Sequence, residues 1–151
     1  MDSEENKAVV RRYLLQGLSG LEPGIVDEVF APDHVLSSPE FGTGSITGTR
    51  IIKSAIEEFR REAGDVECMI QSQVGEGEWV ATSYTLREKQ NDHMGVMISR
   101  IVEGKITESH VVARTVSGRE STAGSALRAS DLDAETVSGQ TRISSARRAF
   151  N

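Results

Sequence analysis

The chain of 151 residues predicts an α+β layer fold, with three N-terminal helices packed on one face of a mainly antiparallel sheet. Two observations carry that prediction. Up to Gly64, apolar residues recur at helical spacing; beyond it the period changes to that of strands, in four segments separated by short polar turns. A third observation sets the domain boundary: after Gly118 the composition shifts to Ser, Thr, Ala, Gly and Arg with isolated aliphatic residues. Residues 1–116 are expected to form one domain large enough to bury its own core. Residues 117–151 are expected to be a low-complexity tail, flexible or ordered by a partner.

The first helix is expected at about residues 4–16. Val9, Val10, Tyr13 and Leu14 share a face, Glu4 and Glu5 favour the positive end of the helix dipole, and Gly17 ends it. A second, short helix begins at Pro23, whose fixed φ suits a first helical position, and buries Ile25, Val26, Val29 and Phe30 before Pro32. "HVLSS" then reads as extended, with Asp33 closing a turn, and "EFGTGSITG" as loop. The third helix, about 49–62, aligns Ile51, Ile52, Ala55, Ile56 and Phe59 in one stripe and closes at Gly64. Strands follow at 66–74, 78–88, 93–102 and 105–116, with "GEGE", "KQND" and "EGK" as turns.

A formal net charge of −6, without clustered Lys and Arg, argues against a nucleic-acid surface, because neutralising phosphates needs such clusters. One cysteine, Cys68, excludes an intramolecular disulfide and fits a cytoplasmic location. The acidic opening "MDSEENKAVV" does not read as a signal peptide, and no apolar run is long enough to span a bilayer. His34, His93 and His110 have no ligand spacing with Cys68, so no metal is expected. "GTGSITG" lacks the ending of a phosphate loop, and no cofactor is expected.

The phrases "VVRRYLLQGL", "VDEVFAPDHV", "TGTRIIKSAI", "VGEGEWVATSYTL" and "SRIVEGKITES", in this order, resemble the SnoaL-like polyketide cyclases. That group shares the nuclear-transport-factor-2-like fold with the ketosteroid isomerases, and the resemblance covers about residues 6–116. It implies a curved sheet wrapped around the helices as a cone with an apolar cavity, and a homodimer formed through the sheet face. The fold hosts isomerases, dehydratases, cyclases, epoxide hydrolases and binding domains, so the reaction must be read from the site.

The resemblance to ketosteroid isomerases places Tyr13 where a helix tyrosine donates to an enolate oxygen. The aspartate base expected before the proline is Ser38, and the second oxyanion donor is Met97. A lone serine cannot take a carbon-bound proton near neutral pH, which argues against steroid-isomerase chemistry. Against the aromatic cyclases, the acid/base aspartate becomes Val111, the strand histidine Met97 and a nearby glutamine Gly95, and the long insertion after the second strand is missing. Positions that are polar in those enzymes are apolar in this chain.

By strand alternation, Val80, Thr82, Tyr84 and Leu86, then Gly95, Met97 and Ser99, then Ser109, Val111 and Ala113 face inward, while His110 and Arg114 face out. The cavity expected is apolar, walled by residues such as Met97 and Val111, with Tyr13, Ser38, Thr82, Tyr84 and Ser99 as polar handles. Tyr13 or Tyr84 would polarise a substrate oxygen, against the alternative of core tyrosines bonded to backbone. His34 or His93 would relay a proton, against a packing residue and a solvated hairpin tip respectively. Asp92 and His93 are adjacent and so face opposite ways.

The function expected is a cofactor-independent enzyme that isomerises or cyclises a hydrophobic, polyketide- or terpenoid-like small molecule by holding it in shape. The alternative is a non-catalytic ligand-binding or dimerisation domain. An enzyme should show an enclosed cavity with a titratable group on its floor; a scaffold should show a filled cone.

Overall fold

The structure is a computed structural model, which describes residues 2–39, 42 and 44–117. Of the tail expected at 117–151, Ser117 ends the last strand, and the rest lies outside the described residues. Ten elements follow in order. They are α1 (Ser3–Arg12), a π-helical segment (Tyr13–Leu18), α2 (Gly24–Val29), β1 (Phe30–Ser37), β2 (Ser45–Thr47), α3 (Arg50–Glu62), β3 (Glu67–Glu76), β4 (Trp79–Arg87), β5 (Asn91–Val102) and β6 (Lys105–Ser117).

Asp2 opens α1 with a reciprocal cap: its carboxylate accepts from the Glu5 N–H at 2.9 Å, while Glu5 accepts from the Asp2 N–H. Gly17 does not end the helix. It sits buried inside the π-helical segment, because a Cβ there would come within 3.2 Å of the Tyr13 ring. Its lack of a side chain serves close approach rather than termination. The Ser19 and Gly20 N–H groups reach back to Leu14 and Leu15, and the chain turns at Leu21 with φ 54°. Phe30 belongs to a strand rather than to α2, which ends at Val29. Gly64, with φ 70°, closes α3 as expected.

The sheet has six strands in the order β2-β1-β6-β5-β4-β3. It is curled and mixed. β3 to β6 form the antiparallel meander, but β1 runs parallel to β6, with Leu36 opposite Ser109. The helices therefore do not simply precede the sheet, since β1 and β2 lie between α2 and α3 in the chain. The stretch expected to be a loop contains β2, held because Ile46 packs against the core and the Gly48 N–H donates to the His34 carbonyl at 2.7 Å. Asp33 is an exposed strand residue, not a turn closer.

The core lies between the helices and the inner face of the sheet. Val10, Leu14 and Ile56 meet Val80, Tyr84, Leu86, Met97 and Val111 there. The inward set expected on β4 is buried throughout, as are Gly95, Met97, Ser99, Ser109 and Val111. The outer face is different: Val74, Trp79, Met94, Val96, Ile98 and Val112 are exposed.

Candidate functional site

The π-helical segment delivers Tyr13 to the inside of the cone, and β1 delivers Phe30, His34 and Leu36. The Phe30 ring stands edge-on to both neighbours, 4.8 Å from Tyr13 at 87° and 4.8 Å from His34 at 81°. Three rings are thus locked in one stack, which fixes the imidazole before any ligand arrives. The parallel pairing of β1 with β6 brings Ser109 alongside, and its Oγ lies 2.8 Å from His34 Nε2. Both side chains are buried, at 0% and 1% exposure.

Tyr13, Phe30, His34, Leu36, Ile52, Tyr84, Met97, Ser109 and Val111 surround one internal void. Its volume is about 10 Å³, room for roughly one water. The cone therefore combines a filled interior with a titratable group at its floor. Burial lowers the His34 pKa to about 4, against the opposing pull of Glu108 and Asp33, so the ring is neutral at pH 7. Burial pushes the Tyr13 phenol well above its usual range, with Tyr84 adding to the shift, so it stays a proton-bearing donor. His34 Nδ1 has no hydrogen-bond partner among the described residues.

Five of the nine site residues read from the sequence line this void: Tyr13, His34, Tyr84, Met97 and Val111. The other four do not. Ser38 lies past the end of β1 and is half-buried. Thr82 is occupied elsewhere, accepting from Gln73 Nε2 at 3.0 Å, and Gln73 in turn ties β3 to Lys7 and Arg11 of α1. Ser99 is buried opposite Ser109 on the sheet, and its Oγ has no partner among the described residues. His93 belongs to a separate cluster near the β4–β5 turn. Its Nδ1 is 2.9 Å from Thr115 Oγ1, its Nε2 is 3.6 Å from Glu88, and its ring meets Phe59 edge-on at 5.6 Å. Burial lowers its pKa, against Glu88 and Asp92. Far from being a solvated tip, that hairpin also buries Asp92 against Arg87, 3.4 Å away.

Strand parity places Ser109 inward, but nothing in the sequence marks it as a polar handle. What hid it was its partner: the approach to His34 depends on a parallel pairing between residues 75 positions apart. Among the described residues, no three His, Cys, Asp or Glu side chains gather where they could hold a metal ion.

On the outer face, an open groove of about 370 Å³ runs over Gln71, Met94, Gly95, Val96, Val112 and Arg114. Gly95 is required by what lies beneath it, since a Cβ there would sit 2.7 Å from the Tyr84 Cζ and Oη.

A curled mixed sheet closed over helices, with polar side chains presented to an apolar interior, gives the chain the cone of the nuclear-transport-factor-2-like fold. The SnoaL-like domain matches residues 10–109, and the chain belongs to that family. Solved structures agree on the fold. A Kribbella flavida protein, provisionally a ketosteroid isomerase, is 20% identical over 85% of this chain and 94% of its own, with a TM-score of 0.62. IdmH of Streptomyces antibioticus, provisionally a polyketide cyclase, is 18% identical over 72% of this chain and 91% of its own, at 0.60. An LEH-like epoxide hydrolase of M. tuberculosis is 20% identical over 74% and 84%, also at 0.60. No curated protein matches the chain.

Proposed function

We propose that the protein is a cofactor-independent enzyme that isomerises or cyclises a hydrophobic, polyketide- or terpenoid-like molecule inside the cone. The observation that carries this reading is His34: a buried, neutral imidazole locked by Phe30 and Ser109, with one ring nitrogen open and two tyrosines around the same void. His34 Nδ1 accepts a proton, Tyr13 donates a hydrogen bond to a substrate oxygen, and the apolar walls exclude water and impose the substrate's shape. The ligand enters by displacing flexible side chains, Met97 first among them. Membership of a family whose structural neighbours carry cyclase, isomerase and epoxide-hydrolase assignments supports a catalytic cone.

The reading includes a homodimer through the outer sheet face, supported by the exposed row Trp79, Met94, Val96, Ile98 and Val112. It places the protein in the cytoplasm, with residues 1–116 as the working domain and 117–151 as an appended tail. A thermal-shift screen of hydrophobic polycyclic ketones and polyenes, each with and without a hydroxyl group, identifies the ligand, and turnover is then compared for wild type and Tyr13→Phe. A loss of tenfold or more in turnover is expected; unchanged turnover removes Tyr13 from the mechanism.

A second reading, a non-catalytic binding or dimerisation domain, is favoured by the void of about 10 Å³, which leaves little preformed room. Identified ligands that bind but are never converted would establish it.

A further inference from the structure

The His34–Ser109 contact constrains which ring nitrogen bears the proton. In the neutral imidazole, one nitrogen donates and the other accepts. If Ser109 donated to Nε2, the proton would sit on Nδ1, leaving a buried N–H without an acceptor among the described residues. If Nε2 donates to Ser109 Oγ, the ring keeps only an acceptor lone pair open, and the Ser109 hydrogen, on a hydroxyl that can rotate, turns towards the void that Ser109 lines, which has room for roughly one water. Orphaned buried N–H groups are the rarer case in folded proteins, and under-satisfied acceptors are better tolerated.

We propose that Ser109 is a positioning residue that holds His34 as the Nε2–H tautomer, so that the site selects apolar ligands presenting one hydrogen-bond donor, an alcohol, enol or phenol hydroxyl, to Nδ1. This rests on the proposed catalytic reading and names the ligand chemistry for it. The geometry supports it from three sides. The 2.8 Å contact occupies Nε2, so Nδ1 is the edge left for a ligand. Phe30 packs edge-on to the imidazole at 4.8 Å, which opposes a ring flip that would put carbon atoms where Nε2 and Nδ1 now lie. The void beside them is lined by apolar Leu36, Ile52, Met97 and Val111, so the rest of the ligand must be apolar. A ligand with only a carbonyl would leave Nδ1 buried and unpaired, which disfavours it against the hydroxyl analogue.

The experiment reads the two ring nitrogens of His34 directly, by ¹⁵N NMR of histidine-labelled full-length protein near pH 7. The His34 signals are assigned by their loss in His34→Gln. A proton-bearing Nε2 and an unprotonated Nδ1 are expected in the wild type; the reverse pattern overturns the proposal without reference to any variant. Ser109→Ala, with its fold checked by the amide fingerprint, is expected to mix the two tautomers; an unchanged wild-type pattern in this variant removes Ser109 from the role. Phenol and its methyl ether anisole are then titrated as probes of near-equal shape. Phenol is expected to shift the Nδ1 signal upfield while anisole and cyclohexanone do not. Equal shifts from anisole or cyclohexanone, or no shift from phenol up to its solubility, overturn the donor selectivity. None of these readings uses turnover, so the proposal can fail while Tyr13→Phe still abolishes catalysis, and the reverse.

Discussion

The two faces of this one sheet carry opposite burdens. The inner face buries Thr82, Ser99, Ser109 and His34 at no more than 1% exposure. The outer face leaves Val74 at 67% and Val112 at 60%, with Trp79, Met94, Val96 and Ile98 beside them. Strand alternation puts the two burdens one residue apart, as at Val96 and Met97 or at Val111 and Val112. A buried polar atom needs a partner, and an exposed apolar row favours cover. The comparison separates the two proposed roles, chemistry inside and association outside, so that substitutions can address them independently.

The largest expected effect is on the inner face and is read with pH. The folded-state pKa of His34 is lowered to about 4 from an unfolded value of 6.5. Between these values the unfolded chain binds a proton that the folded chain does not, so stability falls as the pH drops through that window. The contribution is full above pH 6.5 and is lost by about pH 4. Roughly 3 kcal/mol is expected from the difference in pKa. Urea unfolding at about pH 7 and about pH 4.5 measures it, and His34→Gln should flatten much of the change.

Next is Gly95→Ala, where the new methyl meets the end of the Tyr84 side chain at 2.7 Å. A loss of about 1–3 kcal/mol is expected, with the Tyr84 ring displaced from the void. Combining it with Tyr84→Ala in a double-mutant cycle should recover most of the coupling, and strict additivity would show that the clash is relieved elsewhere.

A finer test separates satisfied from orphan polar groups within the inner face. Thr82→Val removes the acceptor of Gln73 and should cost about 1 kcal/mol. Ser99→Ala deletes an oxygen with no partner among the described residues and should be near neutral or stabilising. Equal losses at the two sites would mean that Ser99 is satisfied in solution, by water or by a ligand.

The smallest effect on folding belongs to the outer face. Val112→Glu should stay within about 0.5 kcal/mol of wild type in monomer stability. It should nevertheless shift the sedimentation profile from dimer to monomer if that face is the interface. A wild-type protein that sediments as a monomer at high concentration would break the comparison at this face.

Much of this was legible in the sequence because periodicity survives tertiary context. The stripe of Ile52, Ile56 and Phe59 and the alternation of Val80, Thr82 and Tyr84 report which side of an element is buried, and both faces follow from them. The misreadings share a different cause. Gly17 reads in sequence as a helix stop, whereas the packed Tyr13 ring requires its missing side chain. Ser99 and Thr82 had the right parity, but parity does not say which void a residue reaches or what already occupies its hydroxyl. His93 and His34 were indistinguishable by composition; only the pairing of distant strands puts one beside Ser109 and the other beside Thr115 and Glu88. Pairing across such separations leaves little local trace.

The parallel alignment of β1 with β6 also sets an order of events. Hairpins such as β3–β4 and β5–β6 close short loops, whereas docking β1 on β6 joins His34 to a residue 75 positions away. Loop-closure entropy is paid before such distant contacts return anything, so this docking is expected to come late in folding. In stopped-flow refolding, burial of the His34 imidazole should then lag behind quenching or enhancement of Trp79 fluorescence on the early hairpin. A chain emerging from the ribosome could pair β3, β4 and β5 early, while His34 stayed open until β6 and its Ser109 had been released.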